Sequence, residues 1–159
     1  MCCLNELSLS SNKLSGQLIE FIQNLSCGCA KNSLESLYLD DDAVTGPIPE
    51  LGGILSLKRL YLGGNRLNGT INQSLGRMYK LEELSLFRNS LTGIISEDFF
   101  SNTSNLKVLH LDHNSHFEIQ TWLDSSISIG VYISQLLQDG ASFSRMAANS
   151  NSNCFTWNL

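Results

Sequence analysis

Three histidines at His110, His113 and His116 and three carboxylates at Asp40, Asp41 and Asp42 are the first residues whose spacing suggests chemistry. Imidazole and carboxylate groups this close in sequence are the raw material of metal sites. The histidines do not share a face, because His116 falls at a position where the repeat described below expects an interior leucine. The aspartate run lacks the spaced ligand loop and closing glutamate that calcium requires. No metal is expected at either place. Cysteines stand at 2, 3, 27, 29 and 154, and the odd count leaves at least one unpaired. Cys27-Gly28-Cys29 does not have the C-x-x-C spacing of a zinc or thioredoxin motif. Two states stay open for it. In a secreted chain, a bridge from Cys2 or Cys3 to this segment would act as a partial cap, and in a cytosolic chain all five would be free thiols. There is no phosphate-binding glycine loop, no H-E-x-x-H and no G-x-S-x-G, and nothing assembles an acid–base pair in a pocket. No enzyme, catalytic residue or cofactor is expected.

The remaining chemistry is that of recognition, and it depends on a repeat that brings distant residues into columns. Leu4, Leu7, Leu9, Asn12, Leu14, Gly16 and Leu18 form a first unit. Leu34, Leu37, Leu39, Asp42, Val44, Gly46 and Ile48 form the second, and Leu57, Leu60, Leu62, Asn65, Leu67, Gly69 and Ile71 the third. A fourth runs Leu81, Leu84, Leu86, Asn89, Leu91, Gly93, Ile95. The fifth opens with Leu106, Leu109, Leu111 and Asn114, after which His116 takes the next leucine position and the register is lost.

Each position has a physical reason. In L-x-x-L-x-L the alternating leucines of a short strand point inward and the x residues face solvent. One such strand cannot bury its apolar face alone, so units stack and the strands form a continuous parallel sheet. The asparagine turns the chain and bonds backbone groups of neighbouring units as a ladder. Asp42 accepts but has no amide to donate, which predicts one weaker rung. The glycines mark a second bend, after which Pro47-Ile48-Pro49 runs extended along the outer face.

The segment Val44-Thr-Gly-Pro-Ile-Pro49, relaxed in Leu67-Asn-Gly-Thr-Ile71 and Leu91-Thr-Gly-Ile-Ile95, resembles the plant-specific leucine-rich repeat. Leu60 to Ile71 and Ile95 to Ser101 are similar to ectodomains of plant receptor-like proteins, closest to the ethylene-inducing-xylanase receptor group of defence signalling. The fold expected is an α/β-type leucine-rich-repeat solenoid of about five plant-type repeats, with short parallel strands on its concave face and an irregular C-terminal tail. Residues 4–116 would be the solenoid, with repeats starting at Leu4, Leu34, Leu57, Leu81 and Leu106, and 117–159 a non-repeat tail. The resemblance implies a non-catalytic recognition module on the extracellular side of the plasma membrane, with a protein or peptide ligand and a partner kinase as co-receptor. Members carry a signal peptide, a cysteine-paired cap, more repeats and a transmembrane helix. None is read in this sequence, so a membrane association would come through segments absent from it, and the chain reads as a truncated member.

The binding surface of such a solenoid is the concave face. Its columns read Glu6, Ser36, Arg59, Glu83, Val108; then Ser8, Tyr38, Tyr61, Ser85, His110; then Ser10, Asp40, Gly63, Phe87, Asp112; and Ser11, Asp41, Gly64, Arg88, His113. Tyr38, Arg59, Tyr61, Phe87 and Arg88 are hot-spot types, and with Asp40, Glu83, His110 and Asp112 they make the candidate ligand strip. Four N-x-S/T sequons, at Asn24, Asn68, Asn72 and Asn102, fall outside the concave strands, where a glycan leaves the strip open.

Composition limits the alternatives. Of 159 residues, 16% are charged, with a formal net charge of −5, and no basic stripe appears, so no nucleic-acid partner is expected. Of 27 leucines, 23 precede residue 117, so the Leu-rich character belongs to the repeats. In the tail, positions 127 to 133 alternate as in a strand while 133, 136 and 137 fit a helical turn; residues 141–159 are polar, turn-rich and expected to be disordered. No capping pattern is visible there. Open repeat edges and exposed leucines at the end coils make self-association, as an intracellular or decoy module, the alternative to ligand recognition.

Overall fold

The computed structural model describes residues 4–71, 75, 78–96, 99, 103, 105–120 and 132–133. The leucine spacing builds the expected row of short strands: β1 (Glu6–Ser8), β3 (Ser36–Tyr38), β5 (Arg59–Tyr61), β7 (Glu83–Ser85) and β9 (Val108–His110). They pair in parallel, each with the strand one coil away, and the register aligns Leu7, Leu37, Leu60, Leu84 and Leu109. The inner leucines of the middle coils, Leu37, Leu39, Leu60, Leu62, Leu84 and Leu86, are fully buried. In the first coil Leu4 is 40% exposed and Leu7, Leu9 and Leu14 are only partly buried, because an end coil has a neighbour on one side only.

Each unit also contributes a second strand, which the sequence reading took for a bend and an extended run. β2 (Ser15–Gln17), β4 (Ala43–Gly46), β6 (Arg66–Thr70), β8 (Ser90–Ser96) and β10 (His116–Gln120) form another parallel sheet in the order β10-β8-β6-β4-β2. Glycine is needed where these backbones close on one another. Gly93 has φ +146, and a Cβ there would lie 3.0 Å from the Ile71 carbonyl oxygen. The first unit's extra residues form α1 (Leu18–Cys27) and the short α2 (Ala30–Ser33). Leu18 and Ile22, one turn apart, are α1's buried face.

The pairing also corrects the fifth unit. Gly46 pairs with Leu67, Gly69 with Leu91 and, in the same step, Gly93 with Phe117. Phe117, 3% exposed, therefore holds the core position assigned to His116, and one inserted residue separates it from Asn114. Two strands pair beyond residue 116: β10, and β11 (Tyr132–Ile133), which adds a sixth strand beside β9. The tail thus lays a strand on the last coil rather than leaving it uncovered. Residues 141–159 lie outside the described residues.

The asparagine ladder forms as expected. Asn65 and Asn89 accept from Val44 N and Leu67 N at 3.0 Å each, and their amides donate to Leu39 O and Leu62 O in one case and to Leu62 O and Leu86 O in the other. Asp42 Oδ1 accepts from Asn12 N and Leu14 N, both at 2.9 Å, while its Oδ2 is buried without a partner. Asp42→Asn would donate to the Leu9 and Leu39 carbonyls, as Asn65 does one coil on, and is expected to raise the unfolding free energy by about 1 kcal/mol in a urea titration.

Candidate functional site

Strand alternation turns Arg59 and Tyr61 out of β5 together, and parallel register sets each beside its counterpart in the next coil. Tyr38 pairs with Tyr61, which pairs with Ser85, which pairs with His110; Ser36, Arg59, Glu83 and Val108 form the neighbouring column. The Tyr38 and Tyr61 rings stack with centroids 5.0 Å apart and planes 26° apart. Arg59 donates from Nη1 to Ser36 Oγ at 3.0 Å and holds Glu83 with its Nε 3.9 Å from Oε1. The Tyr61 hydroxyl donates to Glu83 Oε2. Four of the strip residues, Tyr38, Arg59, Tyr61 and Glu83, are thus locked into one network with Ser36, itself buried. Side chains fixed before a partner arrives lose little entropy on binding.

The other strip residues fall into two groups. Asp40 Oδ1 accepts from Gly63 N at 2.9 Å, and its carboxylate also meets the Ser10 hydroxyl at 3.4 Å. Burial raises the Asp40 pKa above the ordinary carboxylate value, against the pull of these hydrogen bonds. Phe87 lies over Gly63, where a Cβ would come within 2.0 Å of its ring; at Gly64, with φ +64, a Cβ would lie 2.2 Å from Asp41 Oδ1. The glycine pair is a seat for these two side chains. Asp112 meets His113 Nδ1 at 3.1 Å, and His110 sits at the end of the tyrosine column. Arg88 is exposed with a left-handed backbone, φ 50, a conformation repeated in each coil at Ser11, Asp41, Gly64 and His113.

Sequence reasoning missed the Gly63 seat and an ion-pair ladder along the strand starts. Lys58 Nζ meets Glu35 Oε2 at 2.9 Å and Lys107 Nζ meets Glu82 Oε2 at 2.7 Å. The signal was present as a charge column, Glu35, Lys58, Glu82, Lys107, one position before the columns that were read. Among the described residues no group of three or more His, Cys, Asp or Glu side chains is placed to hold a metal ion. Of the sequons, Asn24 is exposed in α1 and Asn68 exposed in β6, so neither touches the first sheet; Asn72 and Asn102 lie outside the described residues.

The network has a titration signature. Burial, followed by the Glu83 carboxylate that accepts its hydrogen bond, pushes the Tyr61 phenol up to about 12. A phenol with a raised folded pKa binds its proton more tightly in the native state, so its contribution to stability is complete below the unfolded value of 10.0 and is lost as pH rises toward 12. An ultraviolet titration of the native chain should show one tyrosine ionising late, and Tyr61→Phe should remove that step.

Two family models, both described as leucine rich repeat, match residues 3–25 and 55–115. The chain is similar to receptor-like protein 41 of Arabidopsis thaliana, 39% identical over 116 residues, which is 72% of this chain and 12% of that protein. Among solved structures it is similar to the ectodomain of the receptor kinase GASSHO1/SCHENGEN3 from Arabidopsis thaliana in complex with Casparian strip integrity factor 2, with TM-score 0.66 and 28% identity over 89% of this chain and 16% of that one. It is also similar to the plant peptide hormone receptor RGFR1 in complex with RGF2, with TM-score 0.65 and 26% identity over 88% and 25% of the two chains. The chain therefore spans about an eighth of the length of that curated relative. Among the described residues no helix is long and apolar enough to cross a membrane.

Proposed function

Because the chain belongs to the plant leucine-rich-repeat receptor-like proteins, we propose that the outer face of its first sheet recognises a protein or peptide ligand. The observation that carries the reading is the interlocked strip of Tyr38, Arg59, Tyr61 and Glu83, an aromatic and guanidinium surface held in place before any partner arrives. Phe87, Arg88, His110, Asp40 and Asp112 extend it toward the strand ends. Residues 4–116, completed by β10 as the fifth unit's second strand, would be the recognition solenoid, and the rest of 117–159 a segment added at its far end. The receptors named above, one in complex with Casparian strip integrity factor 2 and one a peptide hormone receptor, support the ligand class. Defence signalling, a co-receptor kinase and a place on the extracellular side of the plasma membrane rest on the family resemblance. The test is a random peptide library displayed on phage and panned against the full chain. Selected peptides should lose binding when Tyr38, Arg59 and Tyr61 are all alanine, and undiminished binding would overturn the reading.

The secreted state has its own check. A chain made in plant cells should lose mass on enzymatic removal of N-glycans, with glycans located among Asn24, Asn68, Asn72 and Asn102. An unchanged mass would favour the second reading, association of copies through open repeat edges, which the exposed Leu4 supports. Sedimentation over rising concentration distinguishes that state.

A further inference from the structure

We propose that the flank just ahead of the first sheet's strands docks a second copy of this chain, turned antiparallel so that a row of alternating charges meets itself reversed. The inference does not depend on the recognition strip. Glu35, Lys58, Glu82 and Lys107 hold the same place in four successive units. Backbone bonds keep them in line: Lys58 N donates to Glu35 O at 2.8 Å, Glu82 N to Lys58 O at 2.7 Å and Lys107 N to Glu82 O at 2.7 Å. Their side chains are 36% to 68% exposed, and the signs run minus, plus, minus, plus. Such a row is its own complement when reversed. A two-fold axis across the flank, between the third and fourth units, sets Lys58 against the second copy's Glu82 and Glu35 against its Lys107, and exchanging the copies repeats both pairs.

The apolar residues of the flank obey the same symmetry. Leu55 and Tyr79 are 46% and 57% exposed, each three residues ahead of its unit's charge in the row. They border one shallow hollow, lined also by Leu57 and Met78. The axis that pairs the charges sets Leu55 against the second copy's Tyr79, so apolar surface meets apolar surface where charge meets opposite charge. A partner of unrelated sequence has no reason to match both patterns, whereas a second copy matches them by rotation alone. A contact confined to four units is small, so the dimer is weak and forms with rising concentration.

Sedimentation velocity of the full chain with paired charge reversals tests this. The unaltered chain should shift from monomer to dimer as its concentration rises. Lys58→Glu sets a glutamate against the second copy's Glu82, and Glu82→Lys sets a lysine against its Lys58. Each variant alone should dimerise at least about tenfold more weakly. Mixed in equal amounts, the two variants oppose glutamate to lysine at both contacts, and the mixed dimer should return to within about threefold of the unaltered one. Exposed ion pairs add little to stability, so both variants should keep the fold, as circular dichroism would confirm. A chain that stays monomeric, reversals that leave the dimer unchanged as end-to-end stacking of open coils would, or a mixture no stronger than the separate variants would overturn the proposal.

Discussion

Asn89→Ala is expected to lower the unfolding free energy by about 2–4 kcal/mol, a large part of the 5–15 kcal/mol typical of a domain. Asn89 is 9% exposed, and its side chain serves three buried backbone groups. Leu67 N donates to Oδ1 at 3.0 Å, and Nδ2 donates to Leu62 O and Leu86 O at 3.0 Å each. Alanine strands Leu67 N away from water, at about 1–3 kcal/mol. It also takes one of two side-chain donors from Leu62 O and Leu86 O, which keep those of Asn65 and Asn114, at about 1 kcal/mol for the two together. Asn12→Ala is the control. Asn12 is exposed, and its amide reaches only Leu9 O and Ser10 O, so its loss should cost about 1 kcal/mol. Urea midpoints at constant slope measure both. Equal losses would mean that the ladder does not hold the coils together.

The second large effect concerns binding. The triple variant Tyr38→Ala, Arg59→Ala, Tyr61→Ala should weaken a selected peptide roughly 100-fold or more. The three side chains are neighbours in one network, so single substitutions should not add up to this figure. Glu83→Gln keeps the shape but removes the charge that fixes Arg59 and the Tyr61 hydroxyl. It should cost only a few-fold, chiefly through lost preorganisation. Because all three side chains are partly exposed, the triple variant should stay folded, and its urea midpoint should confirm this.

The first sheet was legible because leucine spacing and strand alternation are the same signal, and the columns Tyr38–Tyr61 and Arg59–Glu83 follow from it directly. The second sheet was not, because its strands are read through glycine and short polar residues such as Thr45-Gly46 and Asn68-Gly69, which mark a bend as readily as a strand. Phe117 escaped because one inserted residue shifts the side-chain period, and only backbone pairing reveals the compensation. The Tyr61–Glu83 and Arg59–Ser36 bonds depend on rotamers, which no spacing specifies. Gly63 has no side chain for a column to show, whereas its missing Cβ is what admits the Phe87 ring.

Photo-crosslinking tests the central claim most directly. A selected peptide carrying benzophenone is bound to the full chain and irradiated, and the crosslinked residues are located by mass spectrometry. The account predicts attachment on the first sheet's outer face, within reach of Tyr38, Arg59, Tyr61 and Phe87, and its loss in the triple alanine variant. Attachment centred on the second sheet, at Thr45, Arg66 or Thr92, and unchanged in that variant, would contradict it.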